Sequence, residues 1–338
     1  MTSGGPLRVG VIGLGDIAQK AYLPVLAARA DVTLSLLGRD NERLTRIGRQ
    51  YGASRCVTRL DDLLESGIDV SFVHTTTEAH FGVVEHLLSA GIHVLVDKPL
   101  APSFADARHL VHLAERQERS LAVGFNRRFT PAYAPLALLD RSVVLMQKNR
   151  VGMPDEPRRV VFDDFIHVVD TLRFLMPSGV EQVDIHCVVA DGLLRTVTLG
   201  LHVGDVAGLG VMHRVSGSNE EVLEVLGDGH KHRVVDLAEV WRHHSGEPEG
   251  VRLVRRGDWT PVSTQRGFTA MCAAFLDAVH AGRIVSARDA LRTHEICEDV
   301  VLAAEDASGG PDHAQPAKGA FCGGHRGRPN PRPGSGAL

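Results

Sequence analysis

Apolar residues in the first third of the chain fall into short blocks. Arg8–Ile12, Val32–Leu37, Val70–His74, His93–Val96 and Leu121–Val123 are Val-, Leu- and Ile-rich runs, the pattern of strands buried on both faces. Between them, apolar positions recur every three or four residues over Ile17–Ala28, Asn41–Tyr51, Ala79–Ala90 and Phe104–Arg119, which predicts helices. Gly52 and Gly91 stand where helices commonly end in left-handed backbone. Strand alternating with helix predicts right-handed βαβ units and a parallel sheet covered on both faces. After Phe129 the texture changes. A helix over Phe162–Leu175 precedes strand-like runs at Glu181–Val189, Thr196–His202, Leu209–Val215, Val222–Leu226 and Arg233–Val235. Strands following one another without helices predict an antiparallel sheet. Two late helices, Phe268–Ala281 and Ala287–Ala304, close the pattern, and a Gly/Pro-rich tail follows.

The first strand runs into Gly13-Leu14-Gly15-Asp16-Ile17-Ala18, a glycine turn opening a helix. This is the G-x-G-x-x-A form of the dinucleotide fingerprint. Gly13 suits the tight turn, Gly15 lets a pyrophosphate approach the backbone, and Ala18 lets the helix pack close to the strand. The free N–H groups at the start of that helix suit phosphate. The second strand ends Leu36-Leu37-Gly38-Arg39-Asp40. A carboxylate there usually binds the adenosine 2′-hydroxyl of NAD. Gly38 removes it and Arg39 adds a guanidinium, so NADP(H) is expected over NAD(H). Asp40 restores an acidic contact if the register shifts by a residue or two.

Two further segments carry chemistry. Val94-Leu95-Val96-Asp97-Lys98-Pro99 ends a predicted parallel strand, where ligands of open α/β sheets bind. Lysine is scarce, five residues against 32 arginines, so Lys98 stands out as a group to polarise a substrate oxygen. The other reading of Lys98 is a solvated loop lysine. In the second segment, helical spacing places Asp163, His167 and Asp170 on one face, with Phe165, Val169 and Leu172 opposite. A carboxylate one turn from an imidazole can fix its tautomer and raise its pKa, which suits general acid–base work. An incidental surface Asp–His pair is the plainer alternative. No third ligand accompanies Asp163 and His167, so no metal is expected. Gly124–Phe129 offers Asn126 and Arg127 to a polar substrate or a ribose, or else to local carboxylates.

Composition narrows the classes. Net charge is −4, and no basic stripe with interleaved aromatics argues for nucleic acid. No apolar run approaches the ~20 residues of a bilayer span, and Met1–Pro6 lacks a signal-peptide pattern. The five cysteines are far apart, with no CxxC, as expected of reduced thiols in a cytoplasmic protein.

Together these segments resemble the Gfo/Idh/MocA oxidoreductases over residues 7 to about 305. The resemblance rests on Gly13-x-Gly15-x-x-Ala18, Thr75 through His80, Asp97-Lys98-Pro99 where the family usually has Glu-Lys-Pro, Gly124–Phe129, and Asp163-x-x-x-His167-x-x-Asp170. It is closest to the MviM-like (YceM-like) branch. It implies an α/β protein: an N-terminal Rossmann fold with a parallel sheet, then a C-terminal α/β domain with an open, mostly antiparallel sheet. The expected organisation is a dinucleotide-binding domain over 1–124, a substrate and oligomerisation domain over 125–307 whose last helices can return to the first, and a disordered tail over 308–338. The resemblance implies catalytic roles for Lys98, Asp163 and His167. Cofactor contacts are expected from Gly13, Gly15, Asp16, Ile17, Ala18, Gly38, Arg39, Thr75, Thr76, His80, Asp97, Lys98 and Asn126, and substrate contacts from Arg127, Asp164 and Asp170. It further implies hydride transfer between nicotinamide and a small polar substrate such as a sugar, cyclitol or polyol, in a homo-oligomer formed through the C-terminal sheet. Phe165 and Ile166 replace a glycine common in the family, making the pocket floor bulkier. Asp164 competes with Asp163 as the working carboxylate; spacing and the family pattern favour Asp163. Two other readings share the fold: a non-catalytic nucleotide sensor or scaffold, and a reductase of a non-sugar ligand.

Overall fold

The first half of the chain builds a six-stranded parallel sheet. The structure is a computed structural model describing residues 5–246 and 251–309. In chain order the elements are β1 (Leu7–Ile12), a π-helical turn over Ala18–Tyr22 continuing into α1 (Leu23–Ala27), β2 (Val32–Leu37), α2 (Asn41–Tyr51), β3 (Arg55–Val57), α3 (Leu60–Glu65), β4 (Val70–Val73), α4 (Thr77–Ser89), β5 (His93–Val96), α5 (Phe104–Arg116) and β6 (Leu121–Val123). The strand order is β3-β2-β1-β4-β5-β6, with every pairing parallel. This is the doubly wound Rossmann order, whose switch point lies between β1 and β4. The short pair β3 and α3 is absent from the pattern reading, being too brief to show a period.

The second half continues with β7 (Val143–Asn149), α6 (Pro157–Val160), a π-helical turn over Val161–Phe165, α7 (Ile166–Leu175), β8 (Gln182–Ala190), β9 (Leu193–Val203), β10 (Val206–His213), β11 (Glu220–Gly227), β12 (His230–Val235), β13 (Glu239–His244), β14 (Val251–Arg255), α8 (Val262–Gln265), α9 (Phe268–His280) and α10 (Arg288–Gly309). Its eight-stranded sheet has the order β14-β13-β12-β11-β7-β10-β9-β8. All pairings are antiparallel except β7 with β10. Of the tail expected over 308–338, the first two residues belong to α10 and the rest lies outside the described residues.

Packing joins the two sheets. Helix α9 puts Met271, Cys272, Phe275 and Leu276 against Val9, Val11, Leu36 and Phe72, covering one face of the parallel sheet. Helices α4 and α5 cover the other face through Val84, Leu87, Leu110 and Val111. That second core runs unbroken through Phe162, Phe165 and Val169 to Val197, Leu199, Leu223 and Val225 of the second sheet. Helix α7 and the turn before it are thus a shared wall, with Phe165, Val169 and Leu172 fully buried.

The last helix also returns to the first sheet through a buried imidazole. His294 Nδ1 lies 2.8 Å from Ala290 O, and Nε2 accepts the Leu100 N–H at 2.9 Å. The ring therefore needs its neutral Nδ1–H form, and burial pushes its pKa down to about 4. An unfolded imidazole takes up its proton near pH 6.5, so the stability from neutral His294 is complete above that pH and is lost as pH falls toward 4. We predict that His294→Phe, which orphans the buried Leu100 N–H, lowers the unfolding free energy by about 1–3 kcal/mol at pH 7.5. Denaturant titrations at several pH values should also find a shallower loss of stability between pH 6.5 and 4. An unchanged slope would assign that loss to other groups.

Candidate active site

The nucleotide groove lies at the switch point. Gly13 has φ +87°, and a Cβ there would stand 2.5 Å from His74 O, so only glycine fits. A Cβ at Gly15 would meet nothing within 4 Å, leaving the backbone open to an incoming group. Gly13, Gly15, Gly38, Arg39, Thr75 and Thr76 line a groove of about 460 Å³, walled by Leu37, Leu44, Leu60 and Val83. The Thr75 hydroxyl is buried there with no protein partner. Open backbone, a free buried hydroxyl and an apolar slot fit a dinucleotide. Asp40 caps α2 by accepting the Arg43 N–H at 3.0 Å, and Arg43 Nη2 reaches back to Leu14 O at 2.8 Å. Arg43 thus lines the groove together with Arg39.

Lys98 follows β5 on a turn held at each residue. Asp97 Oδ1 accepts the Lys98 N–H at 3.0 Å, His80 Nδ1 lies 2.7 Å from Pro99 O, and His294 takes the Leu100 N–H. The ammonium of Lys98 reaches the π-helical turn before α7 and donates to Asp163 O. Burial lowers its pKa, against the pull of Asp97, Asp163 and Asp164.

Opposite Lys98, a cluster of charges surrounds the helix carrying His167. Alternation along β7 buries Val144, Met146 and Lys148 on one face, and along β11 Glu221, Leu223 and Val225. Lys148 and Glu221 are register partners. Asp164 receives three cations: Lys148 at 2.6 Å, Arg150 at 2.9 and 3.0 Å, and Arg214 at 2.8 Å. Lys148 and Arg150 overcome the cost of burying this carboxylate and hold it down at about 2. Arg127 grips Glu221 with two bonds of 2.7 and 2.6 Å, and Tyr133 adds a third at 3.2 Å. Burial and Arg127 push Lys148 down to about 7. His167 is pushed well below the usual imidazole value by burial and then by Arg127, Lys148, Lys98 and Arg150.

Comparison with known proteins fits this architecture. Residues 7–125 match the family described as "Oxidoreductase family, NAD-binding Rossmann fold" (Gfo/Idh/MocA), and residues 136–245 match the YceM-like C-terminal domain. The YceM protein of Salmonella typhimurium is 36% identical over 81% of this chain and 89% of its own length. The chain belongs to the Gfo/Idh/MocA oxidoreductase family. A family member from Vibrio cholerae has a solved structure with a TM-score of 0.83 at 30% identity, covering 89% of this chain and 99% of that one. The Streptomyces leeuwenhoekii protein named "Myo-inositol dehydrogenase Hyg17" is 28% identical over 66% of this chain and 70% of its own length.

Several site residues stand differently from the sequence expectation. The π-helical turn over Val161–Phe165 adds a residue to the helix and rotates what precedes it by roughly 100°. Asp163 is consequently exposed, with its carboxylate 3.8 Å from Arg159, and among the described residues no ion pair joins it to His167. Asp164 faces inward instead. His167 is accordingly not raised by a carboxylate but lowered by cations. Asp170, expected at the substrate, is 1% exposed and is gripped by Arg128 at 2.5 Å, with Thr293 at 3.3 Å. Arg127 is spent on Glu221, and Asn126 donates to Arg266 O at 2.8 Å, so both brace the wall. His80 is buried between Pro99 O and Thr75 O and does not line the groove. Asp16 is exposed and pairs with Lys20 at 2.6 Å, while Ala18 is buried and Ile17 exposed in the following helix. Among the described residues no group of three His, Cys, Asp or Glu side chains could hold a metal, and no helix is long and apolar enough to cross a membrane.

Sequence reasoning missed Arg43, Lys148, Arg150, Arg214 and Glu221. The scarcity of lysine was a signal for Lys148 as much as for Lys98. We predict that Asp164→Asn destabilises the fold by about 3–5 kcal/mol, because three cations lose their shared buried carboxylate. Asp163→Asn should stay within about 0.5 kcal/mol of the parent. Thermal and urea unfolding distinguish the two; equal effects would contradict the placement of Asp164 as the anchor.

Proposed function

We propose that this chain moves hydride between NADP(H) and a secondary alcohol or ketone of a sugar-, cyclitol- or polyol-like substrate. The observation that carries the reading is the Lys98 ammonium reaching from β5 to the helical turn that precedes a neutral His167. The relative named a myo-inositol dehydrogenase supports the substrate class. Bound in the groove, the nicotinamide cofactor supplies or accepts the hydride. Lys98 holds the reacting oxygen by a charge-assisted hydrogen bond and polarises it. In oxidation His167, neutral at physiological pH, takes the hydroxyl proton as the carbinol carbon gives up hydride. In reduction the proton returns to the oxygen from the same pair, with the Lys98 ammonium made more acidic by burial. Asp164 supports the arrangement from beneath by fixing the cations that keep His167 neutral. We predict that Lys98→Met and His167→Ala each lower turnover by about 10²–10⁴-fold, the usual worth of a general acid or base. Cofactor affinity should hold, since neither residue lines the groove. Wild-type turnover in both variants would end this assignment.

The cofactor preference rests on Gly38, Arg39 and Arg43, with Asp40 engaged as a helix cap. A 2′-phosphate placed there meets two guanidinium groups, while the Asp40 carboxylate at the same end of the groove accepts the Arg43 N–H. Fluorescence titration should therefore give tighter NADPH than NADH binding, with Arg39→Ala or Arg43→Ala costing NADPH about tenfold and NADH little. A preference for NADH would overturn it.

A further inference from the structure

A second cavity, of about 320 Å³, lies where α9 and the start of α10 meet the edge of the parallel sheet. The sheet contributes Leu95 and Val123, the chain after β6 contributes Phe125 and Phe129, and α9 contributes Met271 and Phe275. The cavity shares no lining residue with the nucleotide groove, and neither Lys98 nor His167 borders it. Alanine makes it hollow. Residues 271, 274, 275 and 278 form one stripe of α9, and Ala274 and Ala278 leave gaps beside Met271 and Phe275. Ala122 of β6 and Ala290 of α10 recede in the same way. Segment 283–287 runs along the sheet edge, with the Leu121 N–H donating to Val285 O at 2.9 Å and the Val285 N–H to Ser120 Oγ at 3.0 Å.

The polar side chains bordering this cavity are few, and all but one are taken. Arg128, Arg283, Ser286 and Asp289 line it. Arg128 bonds both Asp170 and Asp289, the other carboxylate oxygen of Asp289 takes Arg173 at 2.6 Å, and Ser286 Oγ accepts the Arg288 N–H at 3.2 Å. Arg128 and Arg173 thus balance Asp170 and Asp289, and neighbouring Arg288 is matched by Glu115. Arg283 is exposed at the rim and makes no ion pair among the described residues. The interior therefore offers an occupant apolar surface, and the rim offers one guanidinium. An apolar cavity of about 150 Å³ takes up benzene, and ligand pockets begin near about 300 Å³. Twice the first volume, bordered by three phenylalanine rings, suits a body of two aromatic rings.

We infer that this cavity is a second ligand site, taking an aromatic carboxylate whose rings lie among Phe125, Phe129 and Phe275 and whose acid group meets Arg283. The inference stands apart from the hydride-transfer reading, and its test uses no nucleotide. Calorimetry on the full chain with 2-naphthoate should give saturable binding with a Kd of about 1 mM or lower, as expected of a ligand this size at modest efficiency. The neutral 2-naphthamide should bind about tenfold more weakly. Arg283→Gln should bring the acid down to the level of the amide and leave the amide unchanged. Ala274→Trp, at an exposed position bordering the cavity, should abolish binding of both by filling it. Thermal unfolding of each unliganded variant checks its fold, and Arg283→Gln decides the matter alone if the tryptophan is not tolerated. Absent binding of 2-naphthoate, equal binding of acid and amide, or an acid preference untouched by Arg283→Gln overturns the inference. So does binding that survives in folded Ala274→Trp, which would place the rings elsewhere, as in the apolar slot of the nucleotide groove.

Discussion

The turn at residues 97–100 is the constraint on which the site depends. A chain leaving the middle of a buried parallel sheet must satisfy each backbone group it carries into the interior. Here Asp97 takes the Lys98 N–H, His80 meets Pro99 O, and His294 takes the Leu100 N–H. The last of these comes from α10, near the end of the described chain. The Lys98 turn is therefore held in part by a residue almost two hundred positions away, which ties it to the last helix. The same return explains why the two sheets share one apolar core through Phe162, Phe165 and Val169.

Electrostatics then decides what Lys98 faces. A buried imidazole with a carboxylate beside it gains a proton, and one beside cations loses it. His167 is in the second situation, with Arg127, Lys148, Lys98 and Arg150 adding to the cost of burial. That disfavours a resting imidazolium and, on the proposed reading, suits a base awaiting a hydroxyl.

Much of the fold was legible because its signals are local. The blocks at Val32–Leu37, His93–Val96 and Leu121–Val123 coincide with β2, β5 and β6, and the glycine turn with the loop after β1. Helix α2 spans the predicted Asn41–Tyr51 and ends at Gly52 in left-handed backbone, as expected. What escaped were elements whose identity depends on distant partners. β7 reads as a plain apolar run fading into Gln147, Lys148, Asn149 and Arg150, and only its pairing with β10 and β11 makes it the centre of a sheet. β14 is an edge strand and β13 lies next to it; β14 alternates with arginine and β13 ends in arginine and histidine, without a clean apolar alternation. Arg43 sits on the exposed-looking stripe of α2 and becomes a groove residue only because Leu14 lies across from it.

The site shows the same division more sharply. Helical spacing correctly places Phe165, Val169 and Leu172 on the buried side, because those residues follow or close the irregular turn. It fails for Asp163, because counting at 3.6 residues per turn assumes an uninterrupted α-helix. One extra residue between Val161 and Phe165 exchanges the inward carboxylate, turning Asp163 to solvent and Asp164 to Lys148, Arg150 and Arg214. A wide turn breaks ordinary helical hydrogen bonding, and such turns persist where something compensates. Here the compensation is visible in the three cations on one side and the Lys98 bond to the Asp163 carbonyl on the other. The irregularity and the charge cluster are thus one feature: the turn delivers the anchor carboxylate to the cations, and the cations hold the turn open.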